Sequence, residues 1–125
     1  MTLHSYRVLI VDDNLTFAKT LSMLVKSILG NRLSELVLAT NGQEAVNKAF
    51  NQNGFDVIFM DVNMPQMNGV TATQLINRSM YRQTRIIAVS FQKDMKTLTQ
   101  MIQAGAENFI FKDNLTVESI EKVFS

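Results

Sequence analysis

Short, wholly apolar runs alternate along this chain with longer stretches whose apolar residues recur every three or four positions. The runs are Val8-Leu9-Ile10-Val11, Leu36-Val37-Leu38-Ala39, Val57-Ile58-Phe59-Met60, Ile86-Ile87-Ala88-Val89 and Phe109-Ile110-Phe111. Runs this short predict strands, and the lack of polar alternation predicts burial on both faces. They are numbered β1 to β5. After β1, Asn14 offers a helix cap, and Phe17, Leu21, Leu24, Val25, Ile28 and Leu29 repeat at helical spacing up to the Gly30-Asn31 stop. Ala45, Val46, Ala49 and Phe50 predict a short second helix, ended by Asn51-Gln52-Asn53-Gly54. Leu75 and Ile76, with Met80 beyond them, mark a third. Leu98, Met101 and Ile102 mark a fourth, which stops at Gly105. Val117, Ile120, Val123 and Phe124 stripe the fifth. These helices are α1 to α5. Five strand–helix units with short connections predict an α/β domain whose parallel sheet is covered on both sides.

Composition narrows the class without changing that picture. At 125 residues the chain fits one domain, and 46% hydrophobic with 18% charged residues is a globular balance. A net charge of +1 with no lysine-arginine cluster argues against direct nucleic-acid binding by this chain. There is no cysteine, so disulfides and thiolate metal sites are excluded, and no apolar run approaches a membrane span. Residues 1–5 form an N-terminal arm with no signal-peptide character, and a cytoplasmic location is expected. Residues 6–125 form the domain, with no linker, internal repeat or low-complexity segment.

The chemistry lies where the strands end. β1 runs into Asp12-Asp13, β3 into Asp61, β4 into Ser90 and β5 into Lys112. In an open parallel sheet those ends share one edge, which is where such folds bind ligands. Two unit charges about 4 Å apart repel by about 4 kcal/mol near a protein surface, so three bare carboxylates need a proton or a cation. Oxygen ligands without histidine or cysteine select a hard divalent ion, Mg²⁺ first. With the Lys112 ammonium and the Ser90 hydroxyl they describe a receptor for a dianionic phosphoryl group, in which an aspartate can become an acyl phosphate. The sole histidine, His4, stands apart in the arm. Taken singly, Asp12-Asp13 reads as a helix cap, Asp61 as a turn residue and Lys112 as a surface charge; only their joint placement says otherwise. The methionines and phenylalanines read as core packing.

The segments Val8-Leu9-Ile10-Val11-Asp12-Asp13-Asn14, Met60-Asp61-Val62-Asn63-Met64-Pro65, Asn68-Gly69, Ala88-Val89-Ser90, Ala104-Gly105-Ala106 and Phe109-Ile110-Phe111-Lys112, in this order and spacing, resemble the receiver domain of two-component response regulators. The resemblance covers the chain from about Tyr6 onward. It implies a flavodoxin-like, doubly wound five-stranded sheet of order 2-1-3-4-5 flanked by five helices. It implies that Asp61 accepts a phosphoryl group from a sensor histidine kinase or histidine phosphotransfer protein. Asp13, Asp61 and the backbone carbonyl of Asn63 would ligate Mg²⁺, with Asp12 helping mainly through water. Lys112 would pair with the phosphoryl group, Ser90 would swing in to hydrogen-bond it, and Phe109 would turn inward. The α4-β5-α5 face would then change, signalling to an output domain or target protein. Asn63 and Gln92 stand where this family tunes acyl-phosphate hydrolysis; both are polar and able to orient an attacking water, so a lifetime nearer minutes than many hours is expected.

Three positions depart from the family pattern. Asp113 follows Lys112 where proline is usual, which removes the ordinary reason for a cis peptide there; a Lys-Asp pair is frequent in receivers joined to LuxR-type helix-turn-helix domains. Phe91 follows Ser90 where a small residue is usual, and its ring is expected to narrow access to Asp61. Phe109 replaces the more familiar tyrosine and so needs no polar partner when buried. A flavodoxin-type electron carrier is the first rival, but Asp12-Asp13 would repel a flavin phosphate. A haloacid dehalogenase-type phosphohydrolase needs a second acid where Asn63 stands. A pseudo-receiver, binding partners without phosphorylation, is the remaining alternative. The abrupt stop at Ser125 leans towards a longer regulator, although free-standing receivers have about this length.

Overall fold

Successive side chains of a strand point to opposite faces, so wholly apolar strands must be covered twice. Val8, Ile10, Val57, Phe59, Ile87 and Val89 point one way, and Leu9, Val11, Ile58, Met60, Ile86 and Ala88 the other. The computed structural model of the protein describes residues 4–51, 54–64, 66–79 and 84–125. In chain order these form β1 (Tyr6–Val11), α1 (Leu15–Leu29), β2 (Leu33–Ala39), α2 (Gly42–Asn51), β3 (Val57–Asp61), α3 (Gly69–Ser79), β4 (Arg85–Ser90), α4 (Met95–Ala104), β5 (Asn108–Phe111) and α5 (Val117–Val123). All pairings are parallel, in the order β2-β1-β3-β4-β5. Phe17, Leu21 and Val25 of α1 and Ile120 and Val123 of α5 close the first core. Ala45, Val46 and Ala49 of α2, Ala72 and Ile76 of α3, and Met101 of α4 close the second. The doubly wound order inferred from the resemblance is the order observed. No helix among the described residues is long and apolar enough to cross a membrane.

Helix starts are set by side chains that satisfy backbone N–H groups. Asn14 Oδ1 accepts from Phe17 N–H at 3.0 Å, as expected. Asp94 does the same for Thr97 at 2.9 Å, and Thr116 forms a reciprocal cap with Ser119; neither cap was read from the sequence. β2 starts at Leu33, three residues before its apolar run. It is an edge strand, so Ser34 and Glu35 are exposed and break the pattern.

Some expectations of burial need correction. Phe50, Ile102 and Val117 are 50%, 43% and 50% exposed. Phe50 and Ile102 each sit about 100° round their helix from a buried neighbour, Ala49 and Met101, which carries them off the core face. Nor are all methionines core: Met60 and Met101 are buried, whereas Met23 and Met95 stand in solvent. α5 spans seven residues, two turns. Among the described residues there is no cis peptide, and Lys112–Asn114 is a short 3₁₀ turn. The expectations placed on Met1 to Leu3 of the arm, on Gln52 and Asn53, on Pro65 and on Met80 lie outside the described residues.

One glycine matters for the site. Gly69 N–H donates to Val62 O at 2.8 Å, folding the β3–α3 loop back onto the end of β3. A Cβ there would lie 2.1 Å from the Asp61 carbonyl oxygen. Gly69→Ala is therefore expected to lower stability by about 1–3 kcal/mol, as overpacking against backbone does, read as a lower urea midpoint at unchanged slope.

Candidate functional site

The strand order reverses between β1 and β3, and the polar residues expected at the strand ends converge there. Asp12 follows β1 directly, and its N–H still pairs with Ala39 O at 2.9 Å, so its backbone is fixed by the sheet. Asp61 is the last residue of β3, Ser90 the last of β4, and Lys112 the first after β5. Asp12, Asp61, Ser90 and Lys112 are buried, while Asp13 is exposed at the mouth.

Lys112 Nζ lies 2.6 Å from Asp12 Oδ2 and 3.3 Å from Asp61 Oδ1. Asp12 Oδ1 accepts from Asn14 N–H at 2.8 Å. Asp12 Oδ2, although paired in charge with Lys112, accepts no well-aligned hydrogen bond. Carboxylate oxygens of Asp12, Asp13 and Asp61 all lie within 4.8 Å of one another. One ammonium therefore faces three acids. Burial, and then the charge of Asp12, push the Asp61 carboxyl up from 3.8 to about 7; Lys112 pulls the other way, and Asp13 adds a further upward push. An all-oxygen cluster with excess negative charge fits a hard divalent cation, which would replace the proton on Asp61.

Around the acids is a pocket of about 260 Å³ lined by Asp13, Asn14, Asp61, Asn63, Ser90, Phe91, Gln92 and Lys112. Ser90 Oγ accepts from Gln92 N–H at 2.9 Å, which turns the chain sharply after β4. Phe91 is 58% exposed, with its ring 5.3 Å from Lys112 Nζ. Each sequence-derived site residue except Phe109 lines this pocket or pairs into it. Phe109 is half-buried and borders a separate cavity of about 210 Å³ with Met95, Leu98 and Ile102 of α4.

Three participants were not anticipated. Asn14, read only as a cap, also lines the pocket. Phe17, read only as core, holds its ring 4.7 Å from Lys112 Nζ. Lys93 pairs with Asp113 at 2.9 Å and ties the loop after β4 to the turn after β5. Helical spacing marks Phe17 as inward-facing but cannot reveal that a lysine from the far end of the chain lies against it.

Residues 8–124 match the family model described as "Response regulator receiver domain". The chain is 36% identical over 125 residues to the chemotaxis protein CheY of Bacillus subtilis, covering 97% of this chain and 99% of that protein. It is 39% identical over 113 residues to protein-glutamate methylesterase/protein-glutamine glutaminase 2 of Carboxydothermus hydrogenoformans, covering 89% of this chain but 30% of that protein. The structure superposes with a TM-score of 0.77 on the receiver domain of the histidine kinase CKI1 from Arabidopsis thaliana complexed with Mg²⁺, at 30% identity and covering 98% and 94% of the two chains.

Proposed function

Since this chain belongs to the response regulator receiver family, we propose that Asp61 is its phosphoacceptor, charged by a sensor histidine kinase or histidine phosphotransfer protein. The observation that carries this reading is the Asp61 carboxylate in a buried acidic pocket with the Lys112 ammonium 3.3 Å away. An ionised Asp61 oxygen attacks the phosphorus of a phosphohistidine. The new bond is the O–P bond of an acyl phosphate. The P–N bond breaks, its electrons return to the imidazole, and that ring takes up a proton. Lys112 offsets charge on the phosphoryl oxygens, and the Ser90 hydroxyl donates to one of them. Asp12, Asp13 and Asp61, with the Asn63 backbone carbonyl, would hold Mg²⁺, which supplies positive charge against the acids and the phosphoryl oxygens. The Mg²⁺ in the Arabidopsis receiver supports that choice.

Drawing Ser90 inward pulls on the loop that leads into α4, and Phe109 packs on α4 from β5. The response therefore develops on the α4-β5-α5 face, where an output domain or target protein reads it. Asn63 and Gln92, both exposed at the pocket, set the rate at which water removes the phosphoryl group. The chain is a switch that catalyses only its own phosphorylation and dephosphorylation. Phe91 restricts the entrance. Phe91→Ala is accordingly expected to raise, several-fold, the ratio of labelling rates for a bulky over a small phosphodonor; an unchanged ratio would count against that role.

The deciding experiment is labelling with phosphoramidate in Mg²⁺, read by intact mass. One phosphoryl group on the wild-type chain and none on Asp61→Asn is the expected outcome. No gain from phosphoramidate or from a purified phosphohistidine donor would overturn it in favour of a pseudo-receiver, a reading that the ring of Phe91 over the pocket keeps in play.

A further inference from the structure

We propose that Phe17 and Phe91 are positioning residues for phosphoryl transfer at Asp61, their two rings holding the Lys112 ammonium against the acids by cation–π attraction. The inference rests on Asp61 as the phosphoacceptor and concerns how its counter-charge is kept in place. Lys112 Nζ lies over both rings, 4.7 Å from the Phe17 centroid and 5.3 Å from that of Phe91. Both distances are inside the range of about 6 Å over which a ring face attracts a cation, and the attraction strengthens when the cation is desolvated. Lys112 is 9% exposed, which meets that condition.

The rings come from segments that also carry the site. Phe17 lies in the first turn of α1, shortly after Asp12-Asp13, and Phe91 directly follows Ser90. Phe91 cannot be explained as a core residue, because more than half of it is in solvent. Lys112 also has somewhere else to go. It borders a second cavity of about 570 Å³, lined by both rings together with Leu24, Leu115 and Val117. Ion pairs with Asp12 and Asp61 oppose that excursion, but hydrogen bonds are directional and one partner changes when Asp61 is phosphorylated. A ring face attracts the ammonium over a range of small displacements. The two rings thus hold the ammonium at the boundary between the two cavities while its partner changes from carboxylate to phosphoryl.

Leucine keeps the apolar bulk and removes the ring, whereas tyrosine keeps the ring. Phe91→Leu, at an exposed side chain, is the variant least able to disturb folding. It is expected to slow phosphoramidate labelling about three- to tenfold at an unchanged urea midpoint, with Phe91→Tyr restoring the rate. Phe17→Leu should move the rate the same way. Proton NMR gives an independent readout without phosphorylation: the Lys112 ε-methylene protons should be shifted upfield by ring currents, less so in each leucine variant. Ordinary Lys112 resonances in the wild type, or rates indifferent to Phe91→Leu, overturn the proposal. If the wild type accepts no phosphoryl group, the proposal falls with the phosphoacceptor reading, and an upfield Lys112 signal separates that case from an absent clamp.

Discussion

Lys112→Met is expected to slow phosphoryl acceptance at Asp61 by about 10²- to 10³-fold, the usual consequence of deleting one preorganised charge from a buried site. Methionine keeps much of the stem and removes the ammonium that lies 2.6 Å from Asp12 and 3.3 Å from Asp61. The same change leaves two buried acids without their counter-charge. Breaking a buried pair in this way destabilises by about 3–5 kcal/mol, and uptake of a proton by Asp61 recovers part of that at low pH. The variant should therefore unfold at lower urea than wild type at pH 8 in chelator, with the deficit shrinking towards pH 5. Single-turnover labelling by mass and urea titrations at the two pH values check both halves. A labelling rate within threefold of wild type would falsify the role assigned to Lys112.

Asp61→Asn is expected to stabilise the metal-free protein at alkaline pH while abolishing phosphoryl acceptance. The folded protein holds the Asp61 proton up to about pH 7, whereas the unfolded chain releases it near 3.8. Between those values the folded state binds more protons than the unfolded one, so the wild type loses stability as pH rises from about 4 to 7 and levels off above. At 1.36 kcal/mol per pKa unit the loss is on the order of 4 kcal/mol at most. Asparagine carries no charge and removes that slope. In chelator the two proteins should match near pH 4 and diverge by pH 8, with the variant the more stable. Mg²⁺ added to wild type should narrow the gap, because binding favours the ionised cluster. Urea midpoints from pH 4 to 8 decide it, and parallel profiles would sink the claim.

Much of this was legible in the chain because a doubly covered parallel sheet leaves a strong mark. Residues 8–11, 57–60 and 86–89 must be apolar on both sides, and each such run ends at a residue of the site. β2 was read short for the complementary reason: at the sheet edge Ser34 and Glu35 face solvent. Phe50 and Ile102 were misread as core because periodicity locates a stripe but not its margin. Within the site, the meeting of Asp12, Asp61 and Lys112 followed from strand ends alone. The rings over Lys112 and the Lys93–Asp113 tie did not, since each depends on side-chain placement across non-adjacent segments.

The strand order also sets a schedule. β1 and β3 pair with each other in the middle of the sheet, whereas Lys112 leaves the ribosome 51 residues after Asp61. A chain that has emerged only through β4 lacks Lys112, and it also lacks Ile110, Ile120 and Val123, which close the core beneath β1 and β3. The last strand and helix therefore complete the sheet, close that core and deliver the ammonium to Asp12 and Asp61 in a single step.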